Sequence, residues 1–160
     1  MINVTVISVG ELKEKYLRDA VAEYQKRLGA WCNIREVVLK EQRICENPSE
    51  AQIKACLLAE GEAIGAKIPQ RAYVVAMCVE GKAMSSEELA EKIKSESVNG
   101  YGEFVFIIGS SYGLSPKIKE RANLCLSVSK MTFPHQLMRV MMHEIIYRSF
   151  SIINNSKYHK

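Results

Sequence analysis

Apolar positions along the chain alternate between two spacings, and the alternation predicts the architecture. Ile2 to Val9 is rich in β-branched residues and stops at Gly10, the pattern of a buried strand. From Glu11 to Leu28 the spacing becomes helical, with Leu12, Tyr16, Ala20, Val21, Tyr24 and Leu28 on one face and Gly29 suited to the C′ position. Glu11/Lys15, Glu14/Arg18 and Glu23/Arg27 make i,i+4 pairs for its wet side. Asn33 to Leu39 is a second strand, and the polar, aperiodic stretch Lys40 to Pro48 is a loop. Ser49 with Gln52 forms a capping box that opens a helix to about Ala66, its last turns weakened by Gly61 and Gly65.

Ala72 to Val79 is almost continuously apolar, as a central strand covered on both faces must be. Gly81-Lys82 is expected to turn the chain, and Ser85-x-x-Glu88 starts another helix by the same capping logic. Asn99-Gly100 ends that helix, and Phe104 to Ile108 is again wholly apolar. A short segment, Ser115–Arg121, leads into the last strand at Leu124–Val128. The order β-α-β-α-β-α-β-α-β predicts an α/β fold: a mainly parallel sheet with helices on both faces. No linker or repeat interrupts it, so residues 1–160 read as a single domain.

The closing helix, Pro134 to about Asn154, departs from the amphipathic norm. Leu137, Met141, Ile145 and Ile152 make one stripe; Met138, Met142, Ile146 and Ile153 fall beside it; Val140, Tyr147 and Phe150 lie away from both. A helix apolar nearly all round is buried on more than one side. A second copy of the chain packing there, a homodimer, accounts for it; a central helix in a monomer is the alternative.

Composition narrows the class. With 48% apolar and 25% charged residues the chain is an ordinary globular one. No apolar run approaches the ~20 residues a bilayer span needs, and no signal-peptide pattern opens the sequence, so a cytoplasmic protein without membrane attachment is expected. The five cysteines are scattered, with no C-x-x-C pair and no Cys/His cluster. Neither a disulfide framework nor a metal site is indicated, and Cys78 and Cys125 read as small buried hydrophobes. The charge is uneven: residues 1–114 carry 14 Lys/Arg against 16 Asp/Glu, whereas residues 115–160 carry eight against Glu120 and Glu144. That asymmetry suggests a basic end for an anionic partner such as nucleic acid, or a basic end with no partner at all.

Ligands of parallel sheets bind beyond the carboxyl ends of the strands, which here are Met77–Gly81, Gly109–Gly113 and Ser127–Phe133. Gly109-Ser110-Ser111-Tyr112-Gly113 is followed by Ser115 and Pro116, an N-cap and N1 pair. It matches neither a dinucleotide fingerprint nor a phosphate loop, so it is either a ligand turn or a plain βα turn. Lys130, Met131, Thr132 and Phe133 run into Pro134, which fixes the helix start and puts His135 in the first turn. Glu144 and Arg148 are spaced as an i,i+4 pair, but an arginine on so apolar a helix also suits a phosphate or base edge. Tyr158, His159 and Lys160 combine an aromatic with two potential cations, the requirement for stacking on single-stranded RNA.

These residues carry a family resemblance. The run Phe104 to Gly109 (FVFIIG), Gly113-Leu114-Ser115, Ser127 to His135 (SVSKMTFPH), Arg139-Val140, Tyr147-Arg148 and terminal Tyr158-His159 resembles the RlmH family. Its members are large-subunit (23S) ribosomal RNA (pseudouridine-N3-)methyltransferases of the SPOUT class. Val9-Gly10, Glu23-Tyr24-x-x-Arg27 and Glu80-Gly81-Lys82 are similar too, so the resemblance covers essentially the whole chain. It implies a C-terminal trefoil knot, a homodimer, S-adenosyl-L-methionine as methyl donor, and action on a pseudouridine of the assembled ribosome. By position it assigns Met77, Gly109, Val128, Ser129, Lys130, Met131, Thr132 and Phe133 to the donor pocket, and Arg148, Tyr158 and His159 to catalysis and substrate. Ser110 stands where the family usually has a second glycine, and serine is strained there if the position needs a positive φ. The competing reading is a non-enzymatic dimer that binds ribosomal RNA through its basic C-terminal end.

Overall fold

The computed structural model describes residues 1–160. Five strands, β1 (Ile2–Val9), β2 (Cys32–Leu39), β3 (Tyr73–Ala83), β4 (Glu103–Ile108) and β5 (Leu124–Ser127), alternate with α1 (Lys15–Leu28), α2 (Glu50–Gly65), α3 (Ser86–Val98), α4 (Pro116–Arg121) and α5 (His135–Ile153). The sheet order is β2-β1-β4-β3-β5, and every pairing is parallel. The order dictates which face each helix takes. Crossovers toward β2 (through α1 and α3) and crossovers toward β5 (through α2 and α4) must use opposite faces if all have one hand.

Packing agrees with that rule. Leu28, Leu89 and Ile93 from α1 and α3 join Met142, Ile146 and Phe150 of α5 over Val4, Val6, Val75, Phe104 and Phe106 of the sheet. On the other face Ile64 and Ile118 from α2 and α4 cover Ile7, Val74, Ala76, Val105 and Ile107. Each such side chain, removed from water, contributes roughly 1.5–3 kcal/mol. Of the two stripes on α5, the one holding Met142 and Ile146 is buried against the sheet, while Leu137 remains 40% exposed and Met141, Ile145 and Ile152 only half-buried.

Four local expectations change. The first helix begins at Lys15, so Leu12 lies before it and sets no helical phase; Leu17 is buried in place of Tyr16, which is 70% exposed. Gly29 caps that helix with φ −56°, in the right-handed region. Gly81-Lys82 does not turn the chain: β3 continues to Ala83 through a bulge, with both Met77 and Lys82 opposite Leu126. A Cβ on Gly81 would stand 2.6 Å from the Cys125 carbonyl oxygen, so glycine is what lets β5 lie this close. Among the cysteines, Cys45 is exposed and Cys125 only half-buried; Cys78 is buried, which pushes its thiol up to about 12. Both capping boxes form as expected, at Ser49/Gln52 and Ser85/Glu88. No helix is long and apolar enough to cross a membrane.

Candidate functional site

The carboxyl ends of β3, β4 and β5 open onto one cavity of about 540 Å³, within the usual range for a small-molecule site. Ile108, Leu126 and Met138 give it an apolar surface; Ser110, Ser111, Ser129, Thr132 and His135 supply side-chain polar groups. Two of the loops that form its rim are fixed by close backbone approach and local hydrogen bonds. After β4 the chain doubles back between Ser110 and Gly113, whose N–H donates to the Ser110 carbonyl at 2.9 Å. A Cβ on Gly109 would stand 2.2 Å from the Gly113 carbonyl oxygen, so this turn closes only around a glycine. The positive φ of the turn falls on Gly113 (+87°), and Ser110 is outside the left-handed region, so serine carries no backbone strain. After β5, the Ser127 hydroxyl donates to the Ser129 carbonyl at 3.0 Å and the Met131 N–H donates to Ser129 Oγ at 3.0 Å, folding the third loop.

Met77, Gly109, Val128 and Ser129 line this cavity, as do Met131, Thr132 and Phe133. Lys130 does not; its side chain is exposed outside the wall.

Arg148, Tyr158 and His159 are brought together elsewhere. Beyond α5 the chain reverses at Asn155 (φ +52°), pinned by the Ser156 N–H to the Ser151 carbonyl at 2.8 Å, and the tail folds back on the helix. Glu144 organises the cluster. It accepts from the Tyr158 hydroxyl at 2.8 Å and from Arg148 Nε at 2.8 Å. The Arg148 guanidinium also lies 4.7 Å from the Tyr158 ring centre and donates from Nη1 to His159 Nδ1 at 3.2 Å. Arginine cannot accept, so Nδ1 holds the lone pair and Nε2 bears the hydrogen, which it donates to Glu87 at 2.8 Å. Burial, and then Glu144, raise the Tyr158 phenol above its ordinary value, so it remains a donor. Tyr147 meets Tyr158 edge-on at 4.7 Å and stacks with Trp31 at 5.2 Å, extending an aromatic surface.

None of the three tail-cluster residues lines the cavity. The last helical residue that does is Met138, and Arg148 lies ten residues further along α5, about 15 Å at 1.5 Å per residue. The basic C-terminal segment is also less basic than its sequence. Arg139 is paired with Glu36, Arg148 with Glu144 and Lys119 with Glu80, and Arg121 donates to the Ala72 carbonyl. Lys117, Lys130, Lys157 and Lys160 are left exposed.

Residues 2–159 match the family model described as "Predicted SPOUT methyltransferase". The chain belongs to the SPOUT methyltransferase family. This SPOUT chain is 49% identical, over 158 residues and 99% of both chains, to the ribosomal RNA large subunit methyltransferase H of Leuconostoc mesenteroides. It is 48% identical over 157 residues to the protein of the same name from Streptococcus thermophilus, covering 98% of this chain and 99% of that one. A putative ribosomal RNA large subunit methyltransferase H from Methanococcus vannielii is 48% identical over 158 residues, with 99% of each chain covered. The structure of a probable methylase family protein from Haemophilus influenzae superposes with a TM-score of 0.51 at 13% identity, over 99% of this chain and 70% of that one, which shows a shared fold.

The reading of the sequence missed several elements of these sites. Glu144 was visible only as half of a surface pair. The stacking of Trp31 on Tyr147 had no local signal, since the two meet across the fold rather than along one helix. His143 and Glu60, both buried, had none either.

Proposed function

We propose that this chain is an S-adenosyl-L-methionine-dependent methyltransferase that modifies N3 of a pseudouridine in large-subunit (23S) ribosomal RNA, on the assembled ribosome, as a cytoplasmic homodimer. The names of its relatives support the RNA and the reaction class. The observation that carries the reading is the division of labour along α5: an apolar cavity at its start and a cluster of paired charges and aromatic rings near its end.

The cavity fits the donor. Its apolar floor suits a flat base, and the turn built around Gly109 brings backbone close to whatever is bound. Met77, Gly109 and the Val128–Phe133 loop, excluding the Lys130 side chain, would hold it. Threading of the C-terminal segment as a trefoil knot is part of the same proposal, supported by the match to the SPOUT family over residues 2–159.

The donor supplies an already electrophilic methyl group, so the protein's task is orientation and exposure of a nucleophilic nitrogen. Arg148, held in place by Glu144, stabilises negative charge developing at N3 once its proton leaves. Tyr158 donates from its phenol or stacks on the base. His159 accepts through Nδ1, which Arg148 occupies, so it takes a proton only after the bound RNA has displaced that contact.

One chain does not complete this site. In a two-fold dimer whose α5 helices cross antiparallel, the end of each helix comes to the start of the other. The half-open stripe Leu137, Met141, Ile145 and Ile152 offers the apolar surface for that crossing. Mass spectrometry of 23S ribosomal RNA from a strain lacking the gene tests the reading. A methyl group should vanish from one pseudouridine and return with the wild-type gene, but not with a version ending at Lys157. If no methyl is lost and calorimetry detects no donor binding, while the protein still binds ribosomes, it is an RNA-binding dimer instead.

A further inference from the structure

Two carboxylates are largely withdrawn from solvent on opposite faces of the sheet, and their surroundings differ. Glu36 is answered by the guanidinium of Arg139 at 2.5 Å. Glu60, on α2, is 4% exposed and takes part in no ion pair. Its oxygens accept only from neutral groups: the Ser110 hydroxyl at 2.8 Å and the Cys56 thiol, a weak donor, at 3.6 Å. A buried carboxylate held only by neutral donors is costly and is stabilised by any cation that arrives nearby.

The direction in which that cation could arrive is set by the packing. Ser110 is itself part of the cavity wall, so Glu60 stands one residue behind it. The helix cannot swing aside, because the next residue, Gly61, is pressed on the N-cap of α4: a Cβ there would stand 2.3 Å from Ser115 Oγ. The wall contains no Asp, Glu, Lys or Arg, and His135 is its one side chain that a proton could make cationic. Glu80, the neighbouring acid at the end of β3, is already paired with Lys119.

We infer that Glu60 is a specificity-determining residue: its unneutralised charge, acting from behind the wall at Ser110, makes the cavity prefer a cationic ligand over a neutral one of the same shape. The inference rests on the methyl-donor reading of this cavity. The donor carries a positive sulfonium, and the thioether left after transfer has lost that charge. Glu60 thereby favours entry of donor and departure of product without touching either.

The test is calorimetric, on the full-length protein, with S-adenosylmethionine and S-adenosylhomocysteine as probes. Glu60→Gln should weaken the donor about ten-fold and the thioether less than about two-fold, the scale of one unit charge acting through a partly screened interior. Glu60→Asp, which keeps the charge, should restore the preference. Equal losses for both probes would overturn the inference, since a purely structural prop moves both alike. Should Glu60→Gln not fold, Ser110→Ala decides: it leaves the charge in place, so the donor-to-thioether ratio should persist, and a collapsed ratio overturns the proposal. Failure of the wild-type protein to bind either probe is a different outcome, which overturns the methyltransferase reading itself.

Discussion

The cavity at the strand ends and the cluster on the folded-back tail are built by opposite means. The cavity is a backbone construction: three loops leave adjacent strands, one closes around Gly109 where no side chain fits, and the lining carries no Asp, Glu, Lys or Arg. The tail cluster is a side-chain construction, in which Glu144 anchors Arg148 and Tyr158, and Arg148 in turn holds His159. Backbone geometry is rigid and suits a ligand that must be positioned. A network of paired charges can exchange partners, and suits a substrate whose charge changes during reaction. Separating the two along one helix means that neither compromises the other, and in the proposed dimer a second copy unites them.

The most severe way to break that comparison is to destroy each half in a different chain. Gly109→Ala should abolish donor binding, because its Cβ has no room beside Gly113. Removal of Tyr158, His159 and Lys160 should abolish methylation with donor affinity nearly unchanged. Mixed and allowed to exchange subunits, the two inactive proteins should recover about a quarter of wild-type activity, since half of the dimers then hold one intact composite site of two. No recovery, with exchange verified by differently tagged chains, would place the whole site within one chain.

The cavity half was largely legible in the sequence because it depends on local patterns: apolar runs that end at glycine, a serine-proline cap, a loop running into Pro134. The fold was legible for the same reason, and it failed where Leu12, which precedes α1, was counted into the helix and set a phase that put Tyr16 on the buried face. The tail half was legible as a set of candidate residues, Arg148 and Tyr158-His159-Lys160, but not as an arrangement. Its geometry depends on pairings that no local spacing announces, such as His159 with Glu87, 72 residues away. Glu36 and Arg139 pair across 103 residues for the same reason, and an arginine read as part of a basic end is in fact buried.

That buried arginine and the clustered one make the second, smaller test. Arg139 also donates to the Gly10 carbonyl at 2.8 Å, tying α5 to the end of β1. Arg139→Ala strands Glu36 in a largely buried position and should cost about 3–5 kcal/mol in urea denaturation. Arg148→Ala breaks a pair whose side chains are 31% and 24% exposed, and should cost less than about 1 kcal/mol while removing methylation. If the two substitutions destabilise alike, Arg148 is a structural residue and its place in the reaction is wrong.

The mildest effect comes from protons. His143 is fully buried beside this pair, its Nδ1–H donating to the Arg139 carbonyl at 2.7 Å and its Nε2 facing Gln25 at 3.5 Å. Burial lowers its pKa below the ordinary 6.5, with the neighbouring Arg139 charge adding to that and the Arg139 carbonyl and Glu36 opposing it. The folded chain therefore binds fewer protons than the unfolded chain as pH falls below 6.5. The contribution is complete above that pH and is lost progressively as pH falls toward the folded value, by at most about 1.4 kcal/mol per pH unit. His143→Asn, which keeps a donor for the Arg139 carbonyl, should flatten this slope in denaturation at pH 7.5, 6.5 and 5.5, all chosen as about one unit apart. The same series should leave donor affinity unmoved, because His143 belongs to neither the cavity nor the tail cluster; a donor affinity that follows its titration would join the two halves through the core of α5.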